Sequence, residues 1–389
     1  MANGYKILWV GDAVAPTGFA RVSEAIGRGL YQRGWDLAQL AINYWGDPHE
    51  LPWRLYPAGA AGHDLLGIQR LAPVYAKEQP NLVVMLGDPW IVAPYLRQLP
   101  GDAKTVAYLP VDAQNQWAAG DLNALSLAIA YTRYGAQQLR LGGYTGPLTT
   151  VPHRVDTTVF YPEDRWEARK LLAFDQLGFT ETSFIVGNVN RNQPRKRLDL
   201  TIAYFAKWWK RRGCPENAYL LVHCALEDHA GWNLINLAKH FGVHQRIIFT
   251  GGHTLQTPST VDRMRHIYSA CNVGINTGLG EGWGLTAMEF MACGTATLLP
   301  INGALPEWAD GAACFVPCSN IEVQPASGIH TVGGVMDPDG FVTALNVYYD
   351  DPDLVKAYGE CGLARVREPQ YDWTNVCDQF DAALKKVIA

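Results

Sequence analysis

Four alternating glycines and two carboxylates, one among the glycines and one beyond them, occupy the stretch Asn276-Thr277-Gly278-Leu279-Gly280-Glu281-Gly282-Trp283-Gly284-Leu285-Thr286-Ala287-Met288-Glu289. Glycines let a backbone approach a ligand closely, and the free N–H groups of a helix opening near Leu285 favour an anion such as a diphosphate. A carboxylate beside a phosphate is repulsive unless it is aimed at something else, such as sugar or ribose hydroxyls. Glu281 in the loop and Glu289 on the helix therefore point to a nucleotide-sugar. A bare turn would account for the glycines but not for two spaced carboxylates. The segment Gly282-Trp-Gly284-Leu-Thr-Ala287 also fits the dinucleotide fingerprint G-x-G-x-x-A. The acidic residue that fingerprint expects at the next strand end is missing, however: the strand ends near Ile301-Asn302, and Glu307 comes too late.

Such a loop needs a strand before it and a helix after it, and the chain supplies that alternation twice. Apolar runs at residues 5–10, 37–42, 82–86, 105–111 and 127–131 read as buried strands, with helical segments at 19–33, 65–77 and 136–141. Residues 153–163, preceded by Pro152 and holding Pro162, show no periodicity and read as a linker. The rhythm restarts with strands at 183–189, 219–224, 246–250, 273–276 and 295–299, and helices at 198–210, 232–240, 261–270 and 285–291. Short buried strands alternating with helices imply parallel sheets covered on both faces, in an α/β chain of two doubly wound domains. The expected division is residues 1–160 and 161–371, with a C-terminal helix at about 372–389 returning to the first domain. Two such domains make a cleft, and in such sheets ligands sit beyond the carboxyl ends of the strands.

Composition narrows the partners. The chain has 389 residues, 32 Lys+Arg against 37 Asp+Glu, and a net charge of −5, with neither half basic. That excludes a global polycation for nucleic acid or anionic lipid. No run of 18 apolar residues exists to span a membrane, and the N-terminal residues lack the order of a signal peptide. Eight cysteines then read as reduced thiols in a cytoplasmic protein. Cys314 and Cys318 form a C-x3-C pair with only His330 nearby, which suits two core residues flanking a turn better than a zinc site. Asp337-Pro-Asp339 and Asp351-Pro-Asp353 are formally D-x-D, as in metal-dependent transferases, but read as helix starts or turns.

Glu281-Gly-Trp-Gly-Leu-Thr-Ala-Met-Glu289-Phe-Met-Ala-Cys-Gly294 closely resembles the E-G-F-G-L-x-x-x-E-A-M-A-x-G signature of retaining GT-B glycosyltransferases, family four. Gly187-Asn-Val-Asn-Arg191-Asn-Gln-Pro-Arg-Lys196 is similar to that family's G-R-x-x-x-x-K element. Val151-Pro-His-Arg-Val-Asp156 and Phe160-Tyr-Pro162 resemble its interdomain segment, and Trp373 with the helix after it resembles its returning C-terminal helix. The resemblance implies the GT-B fold, with an acceptor domain followed by a donor domain. It implies that Arg191 and Lys196 grip the donor diphosphate, Glu289 the ribose hydroxyls and Glu281 the sugar ring. Gly284, Leu285 and Thr286 would offer backbone N–H groups, and Gly18 in Thr17-Gly18-Phe19 would lie against the diphosphate. Cations following a strand end are in any case what diphosphate departure requires. The implied donor is a nucleotide-diphosphate sugar, a UDP- or GDP-sugar first, with no metal and no further cofactor.

Two departures stand out. The family often has a histidine near the acceptor, where this chain reads Tyr108-Leu-Pro-Val-Asp112, making Asp112 the candidate for contacting an acceptor or donor hydroxyl and Asp88 a weaker one. His153-Arg154 replaces the usual Asn-Gly of the linker. For the acceptor, Trp45, Trp53, Trp90 and Trp117 all follow first-domain strands and offer faces for a sugar ring or a base. A glycan, small molecule or lipid-linked acceptor is the default. DNA carrying hydroxymethylated bases, a dinucleotide-dependent oxidoreductase and a non-catalytic sugar-nucleotide binder remain the alternatives. The oligomeric state is not indicated.

Overall fold

The computed structural model describes residues 4–61, 64–226, 231–251, 259–324 and 330–389. These form two compact units, one of residues 1–153 with 369–389, the other of 154–368.

The first unit holds seven parallel strands: β1 (Lys6–Asp12), β2 (Asp36–Ile42), β3 (Arg54–Pro57), β4 (Leu82–Leu86), β5 (Thr105–Leu109), β6 (Leu127–Ala130) and β7 (Leu148–Thr150). Their order is β3-β2-β1-β4-β5-β6-β7. Every residue of Leu-Val-Val-Met-Leu in β4 is buried, as expected of a parallel strand with helices on both faces. The C-terminal helix Trp373–Ile388 packs on the helix Gly18–Gln32. Arg33 bonds Asp378, the Trp35 indole donates to Asp381 at 2.8 Å, and Phe380 meets Tyr108 edge-on at 4.7 Å. Trp373 and Tyr131 both pack on the buried His153, with ring centroids at 5.5 and 5.6 Å.

The second unit holds β8 (Phe184–Val189), β9 (Ala218–His223), β10 (Ile247–Phe249), β11 (Val273–Ile275), β12 (Ala296–Pro300) and β13 (Cys314–Val316), all parallel, in the order β10-β9-β8-β11-β12-β13. The strand order therefore reverses between β8 and β11. At such a reversal the helices following the two strands lie on opposite faces of the sheet, and the loops diverge to leave a crevice. A separate antiparallel hairpin, β14 (Cys318–Gln324) and β15 (Thr331–Met336), follows β13. Nothing in the sequence reading anticipated it, nor the four-residue β3 and three-residue β7. The expected helix at 65–77 is shorter, at Leu71–Glu78.

Candidate functional site

The two loops flanking the reversal in the second unit carry most of the expected side chains. After β8 the chain passes through Asn190 and Arg191 into a single helical turn, Pro194–Lys196. Arg197 then takes a left-handed backbone conformation, φ 50°. After β11 comes the glycine loop, which ends at Gly284, φ +92°, where the helix Leu285–Ala292 begins. A side chain at Gly284 would be both conformationally strained and only 2.5 Å from Leu305, so this position requires glycine.

Backbone and hydroxyl bonds lace the loops together. The amide of Leu279 donates to the Arg195 carbonyl at 2.8 Å, and the Thr277 hydroxyl donates to the Arg197 carbonyl at 2.9 Å. Since the Thr277 proton is committed, the Thr201 hydroxyl at 2.6 Å must donate to it, while accepting from the Asn188 amide at 2.8 Å. Asn190 donates in turn to the Asn188 side-chain carbonyl at 2.8 Å. All of these side chains are buried. Each donor is thus satisfied in a line running from the end of β8 to the glycine loop. Sequence reading missed this line, although Asn188 inside an otherwise apolar strand was its visible signal.

Lys196 and Glu281 meet at 2.5 Å across the two loops. Arg195 stands 4.0 Å from the same carboxylate, and Asn276 donates to it at 3.0 Å. Burial alone would push the Glu281 carboxyl up. The charges of Lys196 and Arg195, with the hydrogen bonds from Lys196 and Asn276, outweigh burial and hold it below the ordinary range. Arg191 is exposed, and among the described residues no group pairs with its guanidinium. Glu289 is buried on the helix after the glycine loop, where the Tyr268 hydroxyl donates to it. Leu285 and Thr286 are half-buried in the first helical turn. Trp283 stacks on Trp308, 5.6 Å between centroids and 14° from parallel, while the Trp308 indole donates to the Trp283 carbonyl at 2.7 Å. The structure therefore gathers Arg191, Lys196, Glu281, Gly284, Leu285, Thr286 and Glu289 around one strand reversal.

Gly18 and Asp112 belong to the first unit. Gly18 opens the helix Gly18–Gln32, capped by the Thr17 hydroxyl, which also donates to the buried Asp12 at 2.6 Å. Asp112 lies half-buried beyond β5, and Asp88 sits at the N-cap of the helix Pro89–Leu96. The tryptophans separate. Trp45 and Trp117 are 62% and 56% exposed, and Trp90 is half-buried. Trp53 is a correction: it is buried, with its indole donating to Gln39 at 3.0 Å and its ring against Gly27, so it offers no free face.

Asp337 and Asp351 cap the helices Pro338–Asp350 and Pro352–Val366, accepting from Gly340 and Leu354, so both D-x-D sequences are helix starts. No group of three or more His, Cys, Asp or Glu side chains suited to a metal occurs among the described residues. Asn302, where a dinucleotide fold would place its acidic ribose ligand, donates its amide to the carbonyls of Leu279 and Gly334. It presents neither the charge nor the geometry of that ligand.

Residues 170–321 match the sequence model of glycosyl transferases group 1. D-inositol 3-phosphate glycosyltransferase of Mycolicibacterium vanbaalenii is 30% identical over 196 residues, 48% of this chain and 40% of that protein. The protein of the same description from Gordonia bronchialis is 26% identical over 259 residues, 66% of this chain and 49% of that protein. These matches span less than half of each relative's length. Among solved structures, sucrose-phosphate synthase from Thermosynechococcus elongatus aligns with a TM-score of 0.76 at 17% identity, covering 98% of this chain and 99% of that one. WaaG, a glycosyltransferase involved in lipopolysaccharide biosynthesis, aligns with a TM-score of 0.72 at 13% identity, covering 97% and 99%. The fold is GT-B, with two Rossmann-like domains.

Proposed function

Because residues 170–321 belong to the glycosyl transferases group 1 family, we propose that this protein is a retaining glycosyltransferase. It takes a sugar from a nucleotide-diphosphate sugar to an acceptor hydroxyl, without a metal. The observation that carries this reading is the Lys196–Glu281 pair at the strand reversal, beside the exposed Arg191. The pair sets a cation and a carboxylate side by side, the two groups that a diphosphate and a sugar hydroxyl respectively need.

In this reading an incoming diphosphate takes the Lys196 ammonium and the Arg191 guanidinium, and the N–H groups from Gly284 to Thr286 add to its binding. Glu281, released from Lys196, accepts hydrogen bonds from the sugar, while Glu289 faces the ribose. In the first unit, Gly18 is the candidate for a diphosphate contact and Asp112 the candidate for contacting an acceptor or donor hydroxyl. The bond from the anomeric carbon to the phosphate oxygen breaks as the acceptor oxygen bonds to the same face of that carbon. The departing phosphate oxygen takes the acceptor's proton. No protein nucleophile is required; the side chains orient the reactants and stabilise the charge that grows on the leaving group.

The test is a thermal-shift panel of UDP-, GDP-, ADP- and dTDP-sugars, followed by transfer assays on glycans, small-molecule and lipid-linked acceptors and hydroxymethylated DNA. Product anomeric configuration is read by NMR, with and without chelator. Stabilisation by NAD but by no nucleotide-sugar would overturn the reading. Donor binding with neither hydrolysis nor transfer would leave only a sugar-nucleotide binder.

A further inference from the structure

The hairpin β14–β15 lies outside the parallel sheet, yet one of its cross-strand pairs touches both loops of the site. Glu322 and Gly333 face each other across the hairpin. The Glu322 carboxylate bonds Arg197, which is itself held by Asp199 at 3.0 Å. Gly333 packs against the glycine loop so closely that a Cβ there would fall 1.7 Å from the Leu279 carbonyl oxygen. Asn302 closes the arrangement by donating to the carbonyls of both Leu279 and Gly334.

The geometry is that of a clamp. Arg197 directly follows Lys196, and Leu279 lies two residues before Glu281, so the hairpin holds both backbones next to the ion pair. The arrangement has a cost, because a left-handed backbone at a residue other than glycine is disfavoured. The charged bonds to Asp199 and Glu322, with the Thr277 bond to its carbonyl, oppose relaxation of Arg197. The neighbouring side chains of β14 differ: Ile321 and Val323 are 61% and 56% exposed, so only the Glu322 side of the strand faces the loops.

We infer that Glu322 and Gly333 are positioning residues: through Arg197 and Leu279 they set the separation of the two loops, and thereby the placement of Lys196 and Glu281 for a nucleoside diphosphate. The inference rests on the donor-site reading above, and its test is built so that the two can fail separately. Glu322→Gln and Gly333→Ala are compared with wild type and with Val323→Thr, an exposed control on the other side of the same strand. Hydrogen exchange of the amides in residues 276–284, which needs no ligand, reports on the loop. Calorimetric titration with UDP, GDP, ADP and dTDP reports on the site.

Both variants should speed exchange across 276–284 and weaken nucleotide binding at least tenfold, while Val323→Thr leaves both unchanged. Glu322→Gln removes only a partly exposed charge and so keeps the test available should Gly333→Ala fail to fold. Unchanged exchange in Glu322→Gln would overturn the clamp. Faster exchange with unaltered affinity would overturn the positioning role while leaving the donor site standing. Wild-type protein that binds none of the four nucleotides would defeat the donor reading and the positioning role with it, even if the exchange result shows the clamp to be real.

Discussion

The Lys196 ammonium lies 2.5 Å from the Glu281 carboxylate, and the two side chains are only 12% and 8% exposed. In a pair this enclosed attraction works against the burial cost of each ion, and removing Lys196 leaves the Glu281 carboxylate with only Asn276 and Arg195, the latter 4.0 Å away. Lys196→Met should therefore destabilise the second unit by about 3 kcal/mol. The double variant with Glu281→Gln should recover most of that loss, because the enclosed carboxylate charge is gone and Arg195, 29% exposed, stays in contact with water. Neither variant should bind a nucleoside diphosphate well. Urea denaturation with and without UDP separates the two effects. A double variant no more stable than Lys196→Met would show that the pair is not the source of the cost.

Arg191 makes the opposite prediction. Its exposed guanidinium pairs with no group among the described residues, so Arg191→Ala should leave stability within about 0.5 kcal/mol of wild type. If the side chain waits for a diphosphate, losing its charged hydrogen bonds should cost about 1.5–3 kcal/mol of binding, roughly ten- to hundred-fold in Kd. Calorimetric titration with nucleoside diphosphates measures this. Undiminished affinity would remove Arg191 from the site.

The contrast between these residues shows what the sequence made legible. The glycine spacing, Glu281, Glu289 and the cations after β8 were readable because backbone approach and phosphate charge demand particular residue types at strand ends. The doubly wound fold was readable from apolar runs such as Leu82–Leu86, where every residue is buried. The partners of Glu281 and Glu289 were not. Lys196 precedes Glu281 by 85 residues, and Tyr268 looks like any core aromatic until the fold turns its hydroxyl toward Glu289. The hairpin escaped notice because Ile321 and Val323 show alternation without a buried face to explain it. Trp53 misled because following a strand does not decide whether a ring points outward.

Glu78 provides a pH-dependent check on the first unit. The side-chain bond from Arg54 does most to lower its carboxyl, burial opposes this, and bonds from Tyr56 and Lys6 assist, leaving a pKa of about 2. A carboxyl depressed in the folded state contributes stability that is fully present above its unfolded value of 4.5 and is lost as pH falls through about 2. The shift corresponds to about 3 kcal/mol at most, and to about 1–2 kcal/mol once screening at the half-exposed Arg54 is allowed for. Glu78→Gln should thus be less stable than wild type at pH 7, with the gap narrowing by about half at pH 3. Urea midpoints at the two pH values measure the gap, and a constant one would rule out this assignment.

Tyr268 supplies the last prediction, one that separates holding Glu289 in place from merely filling space. Its ring packs edge-on against Phe290 at 4.7 Å and Phe160 at 5.7 Å, contacts that Tyr268→Phe preserves. Only the hydroxyl that donates to Glu289 is lost. A buried carboxylate deprived of one donor costs about 1–3 kcal/mol, so Tyr268→Phe should lower the unfolding free energy by that amount. Tyr268→Phe combined with Glu289→Gln should restore part of it, since the neutral amide tolerates the missing donor better. If Glu289 faces a ribose, the single variant should also weaken binding of a nucleoside diphosphate more than that of inorganic diphosphate, which has no ribose. Equal weakening of both ligands would show that Tyr268 and Glu289 serve the fold and not the nucleotide.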